Sequence, residues 1–200
     1  MELEAELSYE RGRTTPTPQR RVPSQSTTAT DAEVLSLSFV CRRKSRSILN
    51  CTVVGRDGYT PYFHIMTCVD VDPERTLFRT NEGRTIAAVE WGNKGSAAYV
   101  QIHNAVSKQR VSEWLSLSDD VSCRMMYAYG KKFVWAPQRI SICMYEWDPS
   151  AVGDIPDLLA RIEKEDRAVT LKMTMEAVNR GLLEMAVVAT LVFQSGCRIN

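Results

Sequence analysis

From residue 34 onward the chain alternates between apolar and polar positions. In "VLSLSFVC", Leu35, Leu37 and Phe39 are separated by Ser36 and Ser38, the period of two that sends one face of a strand into a core and the other into water. Segments of similar character follow: "NCTVVG", "YTPYFHIMTCV", "RTIAAVEWG", "AAYVQIH", "CRMMYAYG", "KKFVWA", "RISICMYEW" and "AVTLKMTME". All are rich in β-branched and aromatic residues. "RDG" at residues 56–58 reads as a hairpin turn in which Gly58 takes positive φ, and Tyr129-Gly130-Lys131 reads as a second tight turn. Pro61 marks a sheet edge or the start of a strand. In the last strand Val169, Leu171, Met173 and Met175 share one face.

Two segments depart from this pattern. "DIPDLLARIEKEDR" has helix propensity, with Asp154 or Asp157 as its cap. "GLLEMAVVATLVF", Gly181 to Phe193, contains only two side chains that seek water, Glu184 and Thr190. It is too short to span a bilayer, which takes about 20 apolar residues. A long buried strand competes with a buried helix here, because Val187, Val188 and Val192 are β-branched. Strands seldom reach such a length, which favours the helix. Asn179 is then its N-cap and Gly196 its stop. A helix apolar on every face must be surrounded by protein. About ten strands that surround one helix close around it, so the expected fold is mainly β: a closed antiparallel β-barrel with a C-terminal hydrophobic helix as its filling. Glu184 should then sit at the barrel's end or meet a buried partner.

Residues 10–31, "ERGRTTPTPQRRVPSQSTTATD", bury too little apolar surface to offset their ordering entropy. The chain thus divides into a disordered N-terminal tail, residues 1–33, and one β-barrel domain, residues 34–200. Two hundred residues with 25 Lys+Arg and 24 Asp+Glu give a net charge of +1. No global field draws the chain to nucleic acid, and none is expected as a partner. The opening "MELEAELSYE" is no secretory signal. Six cysteines without a CxxC pair point to reduced thiols rather than to a disulfide framework or a metal site. An intracellular, cytoplasmic protein is the resulting expectation.

Four stretches also carry a family resemblance. They are "LSLSF" with "SILNCTVVGRDGYTPYFHIMT", then "RTIAAVEW", then "MMYAYGKKFVWAPQ", then "GLLEMAVVATLVF". In that order the chain, from Val34 to about Arg198, resembles the fungal proteins grouped as domain of unknown function 6593. Those proteins resemble the tubby C-terminal and LURP-one-like barrels. The resemblance implies twelve strands around a central hydrophobic helix. It also implies a strand where "DLLARIEKEDR" asks by propensity for a helix.

The chemistry of the sequence is sparse. No GxSxG, HExxH, Walker loop or GxGxxG occurs. "GNKGS" at residues 92–96 is a turn too short to cradle a phosphate. His64 and His103 lie in strands without a carboxylate or cysteine at ligand spacing, so no catalytic residue, metal ligand or cofactor is expected. Trp91, Trp114, Trp135 and Trp147 are better explained as core or rim than as stacking platforms. The one basic cluster is Arg42, Arg43, Lys44 and Arg46 in "CRRKSRS". Four such cations suit a phospholipid head group or an anionic membrane surface, a ligand class that tubby-like barrels include. The expected function is a non-enzymatic barrel that binds phospholipid head groups or a protein partner. A protein scaffold without a lipid ligand is the alternative, and an enzyme hidden in the barrel mouth is the third.

Overall fold

A computed structural model of the chain describes residues 34–41, 47–92, 96–148, 150, 156–166, 168–197 and 199. The first meander runs through β1 (Val34–Cys41), β2 (Cys51–Val54), β3 (Pro61–Cys68), β4 (Arg75–Thr80), β5 (Thr85–Glu90), β6 (Tyr99–Ile102) and β7 (Val106–Arg110). A one-turn helix α1 (Val111–Trp114) leads to the second, made of β8 (Leu115–Leu117), β9 (Arg124–Ala128), β10 (Lys131–Gln138), β11 (Ser141–Glu146), β12 (Leu158–Glu165) and β13 (Ala168–Thr174). Two helices follow, α2 (Met175–Asn179) and α3 (Leu183–Gln194).

All thirteen strands belong to one antiparallel sheet, ordered β7-β6-β5-β4-β3-β2-β1-β13-β12-β11-β10-β9-β8. Within each meander, strands next to each other in sequence pair, and the β1–β13 ladder joins the two meanders. Its register puts Leu37 opposite Leu171 and Phe39 opposite Val169, so the alternation of both strands feeds a single core. Leu37, Phe63, Ile65, Phe78, Phe133, Trp135 and Leu171 are buried on that face, while Ser36, Thr52 and His64 are only part-buried. The "RDG" hairpin is present between β2 and β3. Gly58 takes φ +75, and Asp57 accepts from the backbone N–H groups of Tyr59 (3.0 Å) and Thr60 (2.9 Å) and from the Thr60 hydroxyl.

The terminal apolar stretch is a helix, and it is enclosed. Met185 to Val192 of α3 are each at most 1% exposed. The helix touches β13 and β5, and Phe193 meets Trp135 of β10 edge-on at 5.5 Å. Thr190 satisfies its hydroxyl by donating to the Ala186 carbonyl at 2.7 Å, the back-bond open to a helical threonine. Glu184 is part-exposed in the first turn, at the end of the enclosed helix, as its charge requires.

Three expectations are corrected and one open alternative is decided. The barrel is not closed: the sheet order ends at β7 and β8, with no ladder joining them. Instead α1 packs on β6 and β7 at one end of the order and on β8 and β9 at the other, so a helical turn spans the seam between the two edges. Residues 158–165, for which propensity pointed to a helix and the family resemblance to a strand, form β12, paired on both sides by β11 and β13. Asn179 does not cap the long helix but ends α2; Gly181, at φ +76, breaks the chain between them, and α3 begins at Leu183. Its predicted stop holds, with Gly196 at φ +74 just past Ser195. Met175 has left the strand face and lies in α2, 44% exposed. The Asp154 cap and the centre of "GNKGS" lie outside the described residues, as does the tail.

Candidate functional site

The basic cluster Arg42, Arg43, Lys44 and Arg46 lies outside the described residues, but both of its anchors are described. Cys41 closes β1 opposite Cys51, and residues 47–50 turn into β2. That turn is tied to the sheet by a chain of buried polar groups. The Trp91 indole N–H donates to the Thr76 hydroxyl at 2.7 Å, the two hydroxyls of Thr76 and Thr67 are 2.7 Å apart, and Thr67 donates to the Leu49 carbonyl at 2.8 Å. A hydroxyl has one proton. Thr67 gives its own to Leu49, so Thr76 must donate to Thr67, and the chain runs in one direction from Trp91 to the loop. The Thr67 backbone N–H adds a bond to Asn50 Oδ1 at 3.0 Å. Thr76 is fully buried, so the Trp91–Thr76 link at the inner end of the chain is made where an unmade one is costly.

The next connection, β3 to β4, exposes Asp70, Asp72 and Glu74. It starts directly after the strand that holds Thr67. Three carboxylates thus lie at the end of the sheet where Cys41 and Cys51 anchor the basic segment.

Among the described residues, the histidines are not brought together with catalytic partners. His64 is part-buried, with Nδ1 3.5 Å from Thr52 Oγ1, and His103 is exposed after β6. Among the described residues no group of three or more His, Cys, Asp or Glu side chains is placed to hold a metal ion. All six cysteines carry free thiols. Trp91, Trp114 and Trp135 are buried, while Trp147 is part-exposed with Lys132 Nζ 5.0 Å from its ring centre.

Two clusters were not foreseen. On the outer side of β10 and β11, Cys143 is fully buried although it faces away from the core. Its thiol donates to Gln138 Oε1 at 3.5 Å and lies 3.7 Å from the Ser141 hydroxyl, while Gln138 Nε2 donates to the Tyr145 hydroxyl at 2.5 Å. Burial first, and Cys143 second, push the Tyr145 phenol up to about 12. Its folded-state value is raised, so this phenol stabilises the fold fully below the ordinary tyrosine range and loses that contribution as pH rises from about 10 to about 12. A spectrophotometric titration should show one phenol ionising only near the upper end of that window. Cys143→Ala should lower that step. An unmoved step would mean that the thiol contributes nothing to it. The signal available in sequence was the alternation Ser141, Cys143, Tyr145, which puts all three on one face.

The second cluster lines a shallow depression on the outer side of β4 to β7. Glu90 is bridged by Lys108 at 2.5 Å and by Arg75 at 3.6 Å, and Lys108 Nζ lies 5.7 Å from the Tyr99 ring centre. Gln101 completes the wall.

No helix of the described residues is long and apolar enough to cross a membrane. No family model matches the chain, and no curated protein matches it. Among solved structures, the crystal structure of an Arabidopsis thaliana protein aligns over 77% of this chain and 90% of its own, at 10% identity and a TM-score of 0.39. A likeness at that score carries nothing over to this chain about fold or function.

Proposed function

We propose that the protein is a non-enzymatic intracellular module that binds anionic phospholipid head groups through the loop bearing Arg42, Arg43, Lys44 and Arg46. The observation that carries this reading is the enclosed helix: with Met185 to Val192 filling the space inside the sheet, ligands are left to the outer face, the edges and the loops. Of these, the connection between β1 and β2 concentrates cations, and its far anchor at Leu49 is tied to the core by the Trp91–Thr76–Thr67–Leu49 chain. The resemblance to the fungal family, and through it to tubby-like barrels, supports the same ligand class. The carboxylates of Asp70, Asp72 and Glu74 favour the second reading, a scaffold whose partners are proteins.

Vesicle pelleting separates the two. The full chain is expected to sediment with phosphatidylcholine vesicles that contain phosphatidylserine or a phosphoinositide, and to be released by salt. Near an anionic surface each cation contributes about 1 kcal/mol. Replacing all four by alanine should therefore lower partitioning by roughly a thousandfold. Equal sedimentation with pure phosphatidylcholine, or no loss in the fourfold variant, would leave the scaffold reading in its place.

A further inference from the structure

The exposed large apolar side chains of the turns divide by end of the sheet. Val69, Val71, Val121 and Ile140 stand at the end where β1 hands over to β2. Tyr59 and Tyr129, each with a hydroxyl for water, stand at the other. A single exposed aliphatic side chain is ordinary. Four at one end are not, and Val121 and Ile140 are 72% and 79% exposed. Val69 and Val71 alternate with the exposed carboxylates of Asp70 and Asp72, which keep that connection in water.

The other two tips stand on turns of fixed conformation. Val121 is held at φ +59, where a β-branched residue is an outlier and asparagine or glycine is at ease. The β8–β9 turn is built to keep it there. Asp120 accepts from the hydroxyls of Ser118 (2.6 Å) and Ser122 (2.8 Å) and from the Ser122 N–H (3.2 Å). The Val121 N–H donates to the Ser118 carbonyl at 2.9 Å. Ile140 belongs to the two-residue β10–β11 turn, whose other residue, Arg139, takes φ +45. There the Ser141 hydroxyl donates to the Gln138 carbonyl at 3.1 Å. β9 and β10 pair as far as Arg124 and Trp135, and both turns lie beyond that pair. They stand side by side, roughly 10 Å apart at the spacing of strands.

A strained valine and an isoleucine on two neighbouring turns weaken the fold and serve no core, which points to a use outside it. Two separate tips form no groove for a shaped partner. A bilayer closes around each of them, and fixed turns lose little entropy when it does. We propose that Val121 and Ile140 enter the head-group and acyl boundary of the membrane on which the cations of residues 42–46 rest. The insertion rests on the lipid reading and deepens it, since head-group binding alone leaves both tips in water. The charged side chains at the two turns are Asp119, Asp120 and Arg139, and they supply no net attraction to an anionic surface. The contribution of the tips is apolar and adds to that of the cations.

Quenching of tryptophan by lipids brominated on their acyl chains tests the insertion. Vesicles of such phosphatidylcholine with phosphatidylserine are mixed at low salt with the full chain, with Ile140→Trp or with Met175→Trp, which lies at the opposite end. Ile140→Trp should lose most of its added emission, while the parent and Met175→Trp keep theirs. Val121→Asn with Ile140→Asn should lower partitioning about tenfold. Its urea midpoint should be no lower than the parent's, because asparagine relieves the strain at Val121. Pelleting without quenching in Ile140→Trp, equal quenching in Met175→Trp, or undiminished partitioning of the double variant overturns the insertion and leaves head-group binding in place. A chain that pellets with no anionic vesicle overturns both.

Discussion

Val188→Asp is expected to yield no folded protein. Val188 is fully buried in the middle of α3, with buried neighbours on every side of the helix. An ionised carboxylate there has no partner, and its desolvation costs several kcal/mol against a total stability of about 5–15 kcal/mol. Val40→Asp is the control: Val40 faces outward from β1 and is 51% exposed, so the same chemical change should leave soluble yield and urea midpoint nearly intact. A folded Val188→Asp protein with the parent's midpoint would show that the sheet does not enclose this helix.

Trp135→Ala should be the most damaging truncation in the wall. The ring is 1% exposed and stands edge-on to Phe193 at the C-terminal end of α3. Removing it costs about 3–5 kcal/mol through lost burial and the cavity left behind. About 0.5–1.5 kcal/mol of that belongs to the aromatic pair. Trp135→Phe separates the contributions. The indole N–H is buried with no acceptor among the described residues, a defect that costs about 1–3 kcal/mol, so phenylalanine should be tolerated far better than alanine. Urea denaturation of the two variants and of Phe193→Leu, combined in a double-mutant cycle, gives the coupling. A coupling near zero would place Phe193 away from the wall.

Where the sequence was legible, local chemistry and tertiary demand agreed. β1 alternates without a break from Leu35 to Phe39, and the turns at Gly58 and Gly130 need the positive φ that glycine takes freely. The terminal helix was legible for the same reason, since thirteen nearly unbroken apolar residues can be satisfied only by full enclosure. β12 stayed open between helix and strand because Leu, Ala, Arg, Glu and Lys are strong helix formers. Its alternation of buried Ala160 and Ile162 with half-exposed Arg161 and Glu163 was the weaker but correct signal, and pairing with β11 and β13 decided it. β4, β7 and β8 went unread: "RTLFRT" and "VSKQR" are charged strands, and three residues of β8 carry no period.

The seam was not legible at all. Whether β7 pairs with β8 is set by how far the whole sheet curls, which no local pattern encodes. The buried chain from Trp91 to Leu49 was hidden likewise. Thr76 shares the inner face of β4 with Phe78, which marks an inward hydroxyl, but its partners come from residues 9 and 15 positions away. The basic loop was the easiest feature to find, because cations need no context to be seen.

Native-state hydrogen exchange of α3 as a function of urea tests the central claim most directly. If the sheet encloses the helix, the amides of Met185 to Val192 can exchange only when the sheet opens. Their exchange should then have the same free energy and urea dependence as the slowest amides of β1 and β13. Exchange of α3 at a markedly lower free energy, with little urea dependence, would mean that the helix leaves while the sheet persists, and would contradict the account.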